Sequence, residues 1–165
     1  MSFSATDRRE VESFLAWIEG AFRSDSRFDP IHPKDPEVEG DPSGLERCLM
    51  IGPRTWVQVA ASPDKGGLTV ALATRDRTVS EAVEGNSLQL GDSFDELLED
   101  GLEDAGEEDT YAVDHYHDSG AFFFESKLPL EGGWSDLKSP EVRDKARKII
   151  LGYYLGFGRF FLDED

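Results

Sequence analysis

Two histidines, His115 and His117, are the residues of this 165-residue chain whose type and spacing most directly suggest chemistry. They are two positions apart in a segment typical of a β-strand, so both imidazoles leave the same face and could bind a metal ion together. A metal site needs three or four ligands, and Asp114 points to the opposite face. Only neighbouring strands or His32 could complete the set. A metal-binding module or metal-dependent enzyme is therefore the alternative hypothesis for this chain.

The rest of the sequence offers few groups for catalysis. Cys48, the only cysteine, lies in an apolar run, which is typical of a buried, unreactive thiol, and it allows no intrachain disulfide. The sequence contains no glycine-rich phosphate loop, nucleophile elbow or His-Glu-Xaa-Xaa-His motif. With one cysteine and three histidines the supply of general bases is thin. We therefore expect a non-enzymatic protein without a cofactor.

The net charge of the chain limits the classes of partner that it can be expected to bind. There are 35 Asp and Glu residues against 17 Lys and Arg, a formal net charge of -18. Such a surface repels phosphate backbones and anionic lipids, so we expect no nucleic acid or membrane partner. A basic protein partner, divalent cations or a high-salt cytoplasm would each suit it. The first residues lack the basic and apolar regions of a secretion signal, which favours a cytoplasmic location.

Three segments have the apolar spacing of amphipathic helices. The first covers roughly residues 7–23, and the second is an acidic segment capped by Asp92 or Ser93 and running to Asp109. The third begins at Ser139 as N-cap with Pro140 in the first turn. Between the first two, residues 25–44 contain four prolines and predict a long connection.

The remaining segments predict a sheet. Strands are expected at residues 46–51, 54–61, 67–74, 110–117 and 121–128. Short turns join the first three, and Asp118-Ser119-Gly120 joins the last two, so both groups are antiparallel. Residues 76–91 are ambiguous, with a short helical turn at 78–84. The order α-βββ-α-ββ-α predicts a single α+β domain over residues 1–165, with helices packed on a curved antiparallel sheet made of a three-stranded meander and a hairpin.

This order of elements resembles the fold of type III secretion chaperones and of the YbjN-like bacterial proteins. The residues that carry the resemblance are the helix around Phe14 and Trp17, the strands around 56–59 and 68–70, the hairpin strand 122–128, and the helix that begins at Ser139. The resemblance implies a non-enzymatic, commonly dimeric protein that binds an extended or partly unfolded segment of another protein.

The segment 149–162 is apolar on almost every side and contains Gly152, Gly156 and Gly158. Glycines inside a helix predict close packing against the sheet or a second subunit. A helix that is apolar all round must be covered all round, so the segment predicts a homodimer or a partner contact unless residues 25–44 cover it. Aromatic side chains dominate interfaces. The predicted contact residues are Trp56, Phe122, Phe124, Tyr154 and Phe161.

Overall fold

The computed structural model describes residues 3–35, 37, 45–63, 67–90 and 93–161, without the side chains of 87–90. Within these residues the chain forms four α-helices and one open antiparallel sheet of six strands, which confirms the predicted α+β class. The helices are α1 (Ala5–Phe22), α2 (Arg77–Leu90), α3 (Phe94–Ala105) and α4 (Pro140–Phe157). The strands are β1 (Ile31–His32), β2 (Glu46–Met50), β3 (Thr55–Ser62), β4 (Gly67–Thr74), β5 (Asp114–Asp118) and β6 (Ala121–Pro129).

The strands lie in the order β1-β2-β3-β4-β6-β5. The meander β2-β3-β4 and the hairpin β5-β6 are as predicted, and β6 joins them by pairing with β4 along its length. One strand was not predicted, because β1 lies in the expected connection 25–44. It has only two residues, which is too short to give an alternating pattern, and it pairs with β2 at the far edge. Residues 36 and 38–44 of that connection lie outside the described residues.

The helix ends follow ordinary capping chemistry. The Ser4 hydroxyl caps α1 by accepting from the Asp7 amide at 3.1 Å. The helix begins at Ala5, two residues before the predicted start. Ser93 caps α3 in the same way, with the Glu96 amide as donor. The ambiguous segment 76–91 contains a complete helix, α2, instead of a single turn. Ser139 precedes α4 as predicted, but its side chain makes no capping hydrogen bond.

The two faces of the sheet carry different apolar clusters. On one face, side chains such as Val57, Val59 and Leu72 pack with α1, α3 and α4 in the main core. On the other face a smaller cluster surrounds Trp56, which is 1% exposed. The guanidinium of Arg75 covers this indole at 5.8 Å from its ring centroid. The sheet is therefore apolar on both sides.

Glycines bring α3 and α4 into direct backbone contact. A Cβ atom at Gly101 would lie 2.6 Å from the Gly156 nitrogen and nearer still to the Gly152 carbonyl oxygen. A Cβ at Gly152 would lie 2.7 Å from a methyl carbon of Leu102. The close approach predicted from Gly152 and Gly156 is therefore present. Its partner is a helix of the same chain, and not the sheet or a second subunit.

Candidate functional site

His115, the first histidine of the predicted metal pair, is held by protein groups. Its ring stacks on Phe124 with centroids 4.1 Å apart. Its Nε2 atom lies 2.7 Å from a Glu84 carboxylate oxygen, and Nδ1 lies 2.9 Å from the Phe123 carbonyl oxygen. A metal ion on either nitrogen would have to replace one of these hydrogen bonds. His117 is exposed two residues further along β5.

The third ligand considered for this pair is at the wrong edge of the sheet. His32 lies on β1 and pairs with Cys48, whereas His115 and His117 lie on β5. Five strand spacings separate the two edges, which is about 24 Å at roughly 4.8 Å each. Among the residues that the structure describes, no three His, Cys, Asp or Glu side chains form a group that could hold a metal ion. His32 therefore cannot complete a site with the pair.

Two of the predicted contact aromatics are inside the protein. Phe124 is fully buried in the main core, against Phe94 and Phe157. Trp56 is buried under Arg75 on the opposite face of the sheet. Neither side chain is therefore at the surface, where a partner could contact it, and their role as partner contacts stays a prediction. Trp56 was predicted as a contact because aromatic side chains dominate interfaces, and that reasoning does not distinguish a surface indole from a buried one.

The other three predicted aromatics are partly buried. Tyr154 and Phe161 lie together, with ring centroids 5.8 Å apart. Tyr154 also contacts Phe28, at 5.3 Å between centroids. Phe122 is on β6, where its ring lies beside His117. The structure therefore brings Tyr154 and Phe161 together and leaves Phe122 on a different element.

Most of the apolar surface of α4 is covered within the chain. Ile149, Ile150, Tyr153 and Phe157 are buried in the main core. Leu155, 41% exposed, is the one large hydrophobic side chain among the described residues that is counted as exposed. No helix of the described part of the chain is long and apolar enough to span a membrane. The apolar side chains of segment 149–162 that suggested a partner therefore pack mostly inside the chain.

The sheet has an open edge at the end of β6. The ladder between β5 and β6 ends where Asp114 pairs with Glu125, yet β6 continues beside β4 to Pro129. The Leu128 carbonyl oxygen points towards β4, since it would lie 2.8 Å from a Cβ atom on Gly67. Neighbouring residues of an antiparallel strand point their backbone groups to opposite sides. The amide and carbonyl of Lys127 therefore point outward, with no strand beside them among the described residues.

The edge is open because the chain before β5 leaves the plane of the sheet. Ser126 points into the helix layer, where its hydroxyl lies 2.6 Å from the Tyr153 hydroxyl and donates to the Ala112 carbonyl at 2.8 Å. The Val113 amide donates to a carboxylate oxygen of Asp95 on α3, at 2.7 Å. These bonds draw residues 110–113 towards the helices. The strand predicted at 110–117 therefore begins only at Asp114. Because residues 110–113 do not pair with β6, the edge of β6 beyond Glu125 is left open.

A groove of about 830 Å³ lies along this edge. Its walls are the segment that leaves the sheet, the end of β6, and the first turns of α4. We call it the edge groove; it is lined by Asp109, Thr110, Tyr111, Ala112, Lys127, Leu128, Pro129, Glu131, Asp136, Ser139, Glu141, Val142 and Lys145. Four carboxylates and two lysines give it a net negative charge. Its apolar groups, among them Leu128 and Val142, lie between the charged ones.

One lysine of the edge groove is already neutralised. Lys145 donates to a carboxylate oxygen of Asp109, and its Nζ lies 4.0 Å from Glu107. The hydrogen bond with Asp109 raises the pKa of Lys145, so the ammonium stays charged. Glu131 and Glu141 have no ion-pair partner among the described residues. Their carboxylates leave the groove with uncompensated negative charge.

Comparison with known proteins found no match for this chain. No protein-family model matches it. Curated proteins and solved structures likewise contain no match. The resemblance to secretion chaperones and YbjN-like proteins therefore stays a prediction.

Sequence reasoning missed the residues of this groove. Lys127 lies on β6, Glu131 in the turn that follows it and Glu141 on α4, and no spacing in the sequence connects them. One signal was present: the inward positions of β6 read Phe122, Phe124, Ser126 and Leu128. A serine in an otherwise apolar face needs a polar partner. Its bond to Ala112 is the contact that draws the chain away from the sheet edge.

Proposed function

We propose that the protein is a non-enzymatic, chaperone-like binding protein that holds an extended, positively charged segment of another protein in the edge groove. The observation that carries the proposal is the outward-facing backbone of Lys127 at an unpaired stretch of β6. An extended segment can add to such an edge by main-chain hydrogen bonds, while the groove selects among its side chains. The proposed binding surface is therefore the edge groove and not the set of aromatic residues predicted from the sequence.

The charge of the groove favours a basic segment. Glu131 and Glu141 are exposed and line the groove, and both lack an ion-pair partner among the described residues. Lysine or arginine side chains of an added strand would approach these carboxylates. The net charge of -18 acts in the same direction, because it attracts cations from a distance and speeds association.

The size of the groove suits a short length of chain. A volume of about 830 Å³ lies within the roughly 300–1,000 Å³ of protein ligand sites. Leu128, Val142 and the ring of Tyr111 give apolar contacts between the charged positions. An alternating sequence, with basic side chains on one side and small apolar side chains on the other, matches this lining.

Peptide binding tests the proposal. A fluorescent peptide that alternates lysine with valine and threonine is titrated by polarisation into the wild type and into a Glu131→Gln, Glu141→Gln double variant. We expect the double variant to bind about tenfold more weakly, since each exposed ion pair contributes up to about 1 kcal/mol. The matched control is Glu81→Gln, Glu96→Gln, which removes the same charge from exposed helix positions outside the groove. Equal weakening in both variants would contradict the proposal.

A homodimer in the cytoplasm remains part of the proposal. Most of the apolar surface of α4 is covered within the chain. The apolar surface that a second copy could contact is therefore Leu155, together with the partly buried Tyr154 and Phe161. Light scattering on the wild type and on Leu155→Glu tests it. We expect a dimer that the substitution dissociates, and a monomeric wild type would remove the dimer from the proposal.

A further inference from the structure

A second pocket, between α1 and α4, has the opposite charge to the edge groove. It measures about 340 Å³. We call it the α1–α4 pocket; its lining residues are Trp17, Lys138, Pro140, Arg143, Asp144 and Arg147. Three cations thus face one carboxylate, in a chain where acidic residues outnumber basic ones by 35 to 17. This local reversal of charge needs its own explanation.

Arg143 is fixed in place without a carboxylate partner among the described residues. Its Nε donates to the Leu137 carbonyl oxygen at 2.8 Å. Its guanidinium lies 5.3 Å from the ring centroid of Trp17, a cation–π distance. These two contacts orient the side chain but do not neutralise it. The positive charge of Arg143 is therefore available in the pocket.

Of the other two cations of the pocket, Arg147 is only partly neutralised, whereas Lys138 has a carboxylate partner of its own. Arg147 and Lys148 share the Asp144 carboxylate, each with one nitrogen 2.9 Å from an oxygen. Hydrogen bonds from Lys148, and then from Arg147, lower the pKa of Asp144. One carboxylate thus serves two cations. Lys138 is paired with Glu10 at 2.9 Å.

From this arrangement we propose that the α1–α4 pocket binds the carboxylate or phosphate group of a small anionic ligand. Guanidinium groups match the geometry of both anions and form paired hydrogen bonds with them. The volume of about 340 Å³ is at the lower end of the range for small-ligand sites. The indole of Trp17 supplies a flat apolar wall for the rest of such a ligand.

The same charges favour a small anion over an acidic protein segment. At physiological ionic strength a charge is felt over about 8 Å. An anion inside the pocket lies within that distance of the lining cations. An extended acidic chain would also have to cross the surrounding surface of a protein with net charge -18. This site is separate from the proposed peptide groove, which lies along other residues of α4.

Indole NMR signals give a direct test. The chain has three tryptophans, and the Trp17→Phe variant assigns the Trp17 signal. Inorganic phosphate and citrate are titrated separately to millimolar concentration, against sodium chloride of equal ionic strength. We expect phosphate, citrate or both to shift the Trp17 signal saturably and leave Trp56 unmoved. The active anion identifies the ligand chemistry. No shift, or an equal shift with chloride, overturns the proposal.

Two neighbouring substitutions localise the site. Arg147→Gln removes a cation that lines the pocket, whereas Lys148→Gln removes one that pairs with the same Asp144 but does not line it. We expect Arg147→Gln to weaken anion binding about tenfold, as loss of a charged hydrogen bond does, and Lys148→Gln to change it less than twofold. Unshifted Trp56 and Trp134 signals verify the fold. Equal losses in the two variants would contradict the assignment.

Discussion

The two halves of α4 are used in different ways. Its carboxyl-terminal half, residues 149–157, is apolar and packs against α3 and the sheet. Its amino-terminal half, residues 140–148, is charged and borders the edge groove on one side and the α1–α4 pocket on the other. The comparison shows that the apolar character of segment 149–157 reflects packing inside the chain. The two open pockets that border α4 are lined by charged residues.

Gly101→Ala is the change with the largest expected effect, because it attacks the packed half of α4. The new methyl group would meet the backbone of Gly152 and Gly156, which has no side chain to move aside. The helices would have to separate, and we expect a loss of about 3 kcal/mol or more in the free energy of unfolding. Urea unfolding followed by circular dichroism measures it.

The control for this variant is Gly85→Ala in α2. A Cβ atom there would meet nothing within 4 Å. Alanine should stabilise a helix interior by about 0.5–1 kcal/mol relative to glycine. A Gly101→Ala protein as stable as the wild type would show that the backbones of α3 and α4 are not in direct contact at Gly101.

A smaller effect is expected from Tyr153→Phe. The substitution removes the buried hydroxyl that bonds to Ser126 at 2.6 Å. Ser126 keeps its bond to the Ala112 carbonyl, so the expected cost is about 1 kcal/mol. Tyr154→Phe is the matched control, since the Tyr154 hydroxyl has no hydrogen-bond partner among the described residues. Equal thermal melting temperatures for the two variants would contradict a role for this bond.

Asp144→Asn, in the charged half of α4, should have the smallest effect. The pKa of Asp144 is lower in the folded protein than its usual value, because Lys148 and Arg147 donate to its carboxylate. Its contribution is therefore complete above the unfolded pKa of about 4 and is lost as pH falls through the folded pKa. Since the side chain is 46% exposed, we expect no more than about 0.5 kcal/mol. Urea unfolding from pH 6 down to pH 2.5 should show that the variant lacks this acid-side decrease.

Much of the fold could be predicted because it depends on local pattern. Apolar spacing located α1, α3 and α4, and turn residues separated the strands of the meander. The two-residue β1 carries too little pattern to be recognised. The start of β5 could not be predicted either, because residues 110–113 alternate like a strand but are held by Asp95 and Ser126, which are distant in sequence.

The candidate site was harder to predict than the fold. The glycines at 152 and 156 indicated a close approach, but their partner Gly101 was overlooked although it interrupts a helix of only 12 residues. The edge groove depends on where one strand ends beside another, which is a tertiary property. Its residues therefore carry no common sequence signal.

Backbone hydrogen exchange at Lys127 tests the central claim most directly. If a basic segment adds to β6 in the edge groove, its main chain should bond to the outward-facing Lys127 amide. Saturating the protein with the lysine-valine-threonine peptide should then slow exchange at Lys127, while Leu128, which already points towards β4, keeps its rate. If the peptide binds and Lys127 exchanges as fast as before, the segment is held elsewhere and the account of the edge groove is wrong.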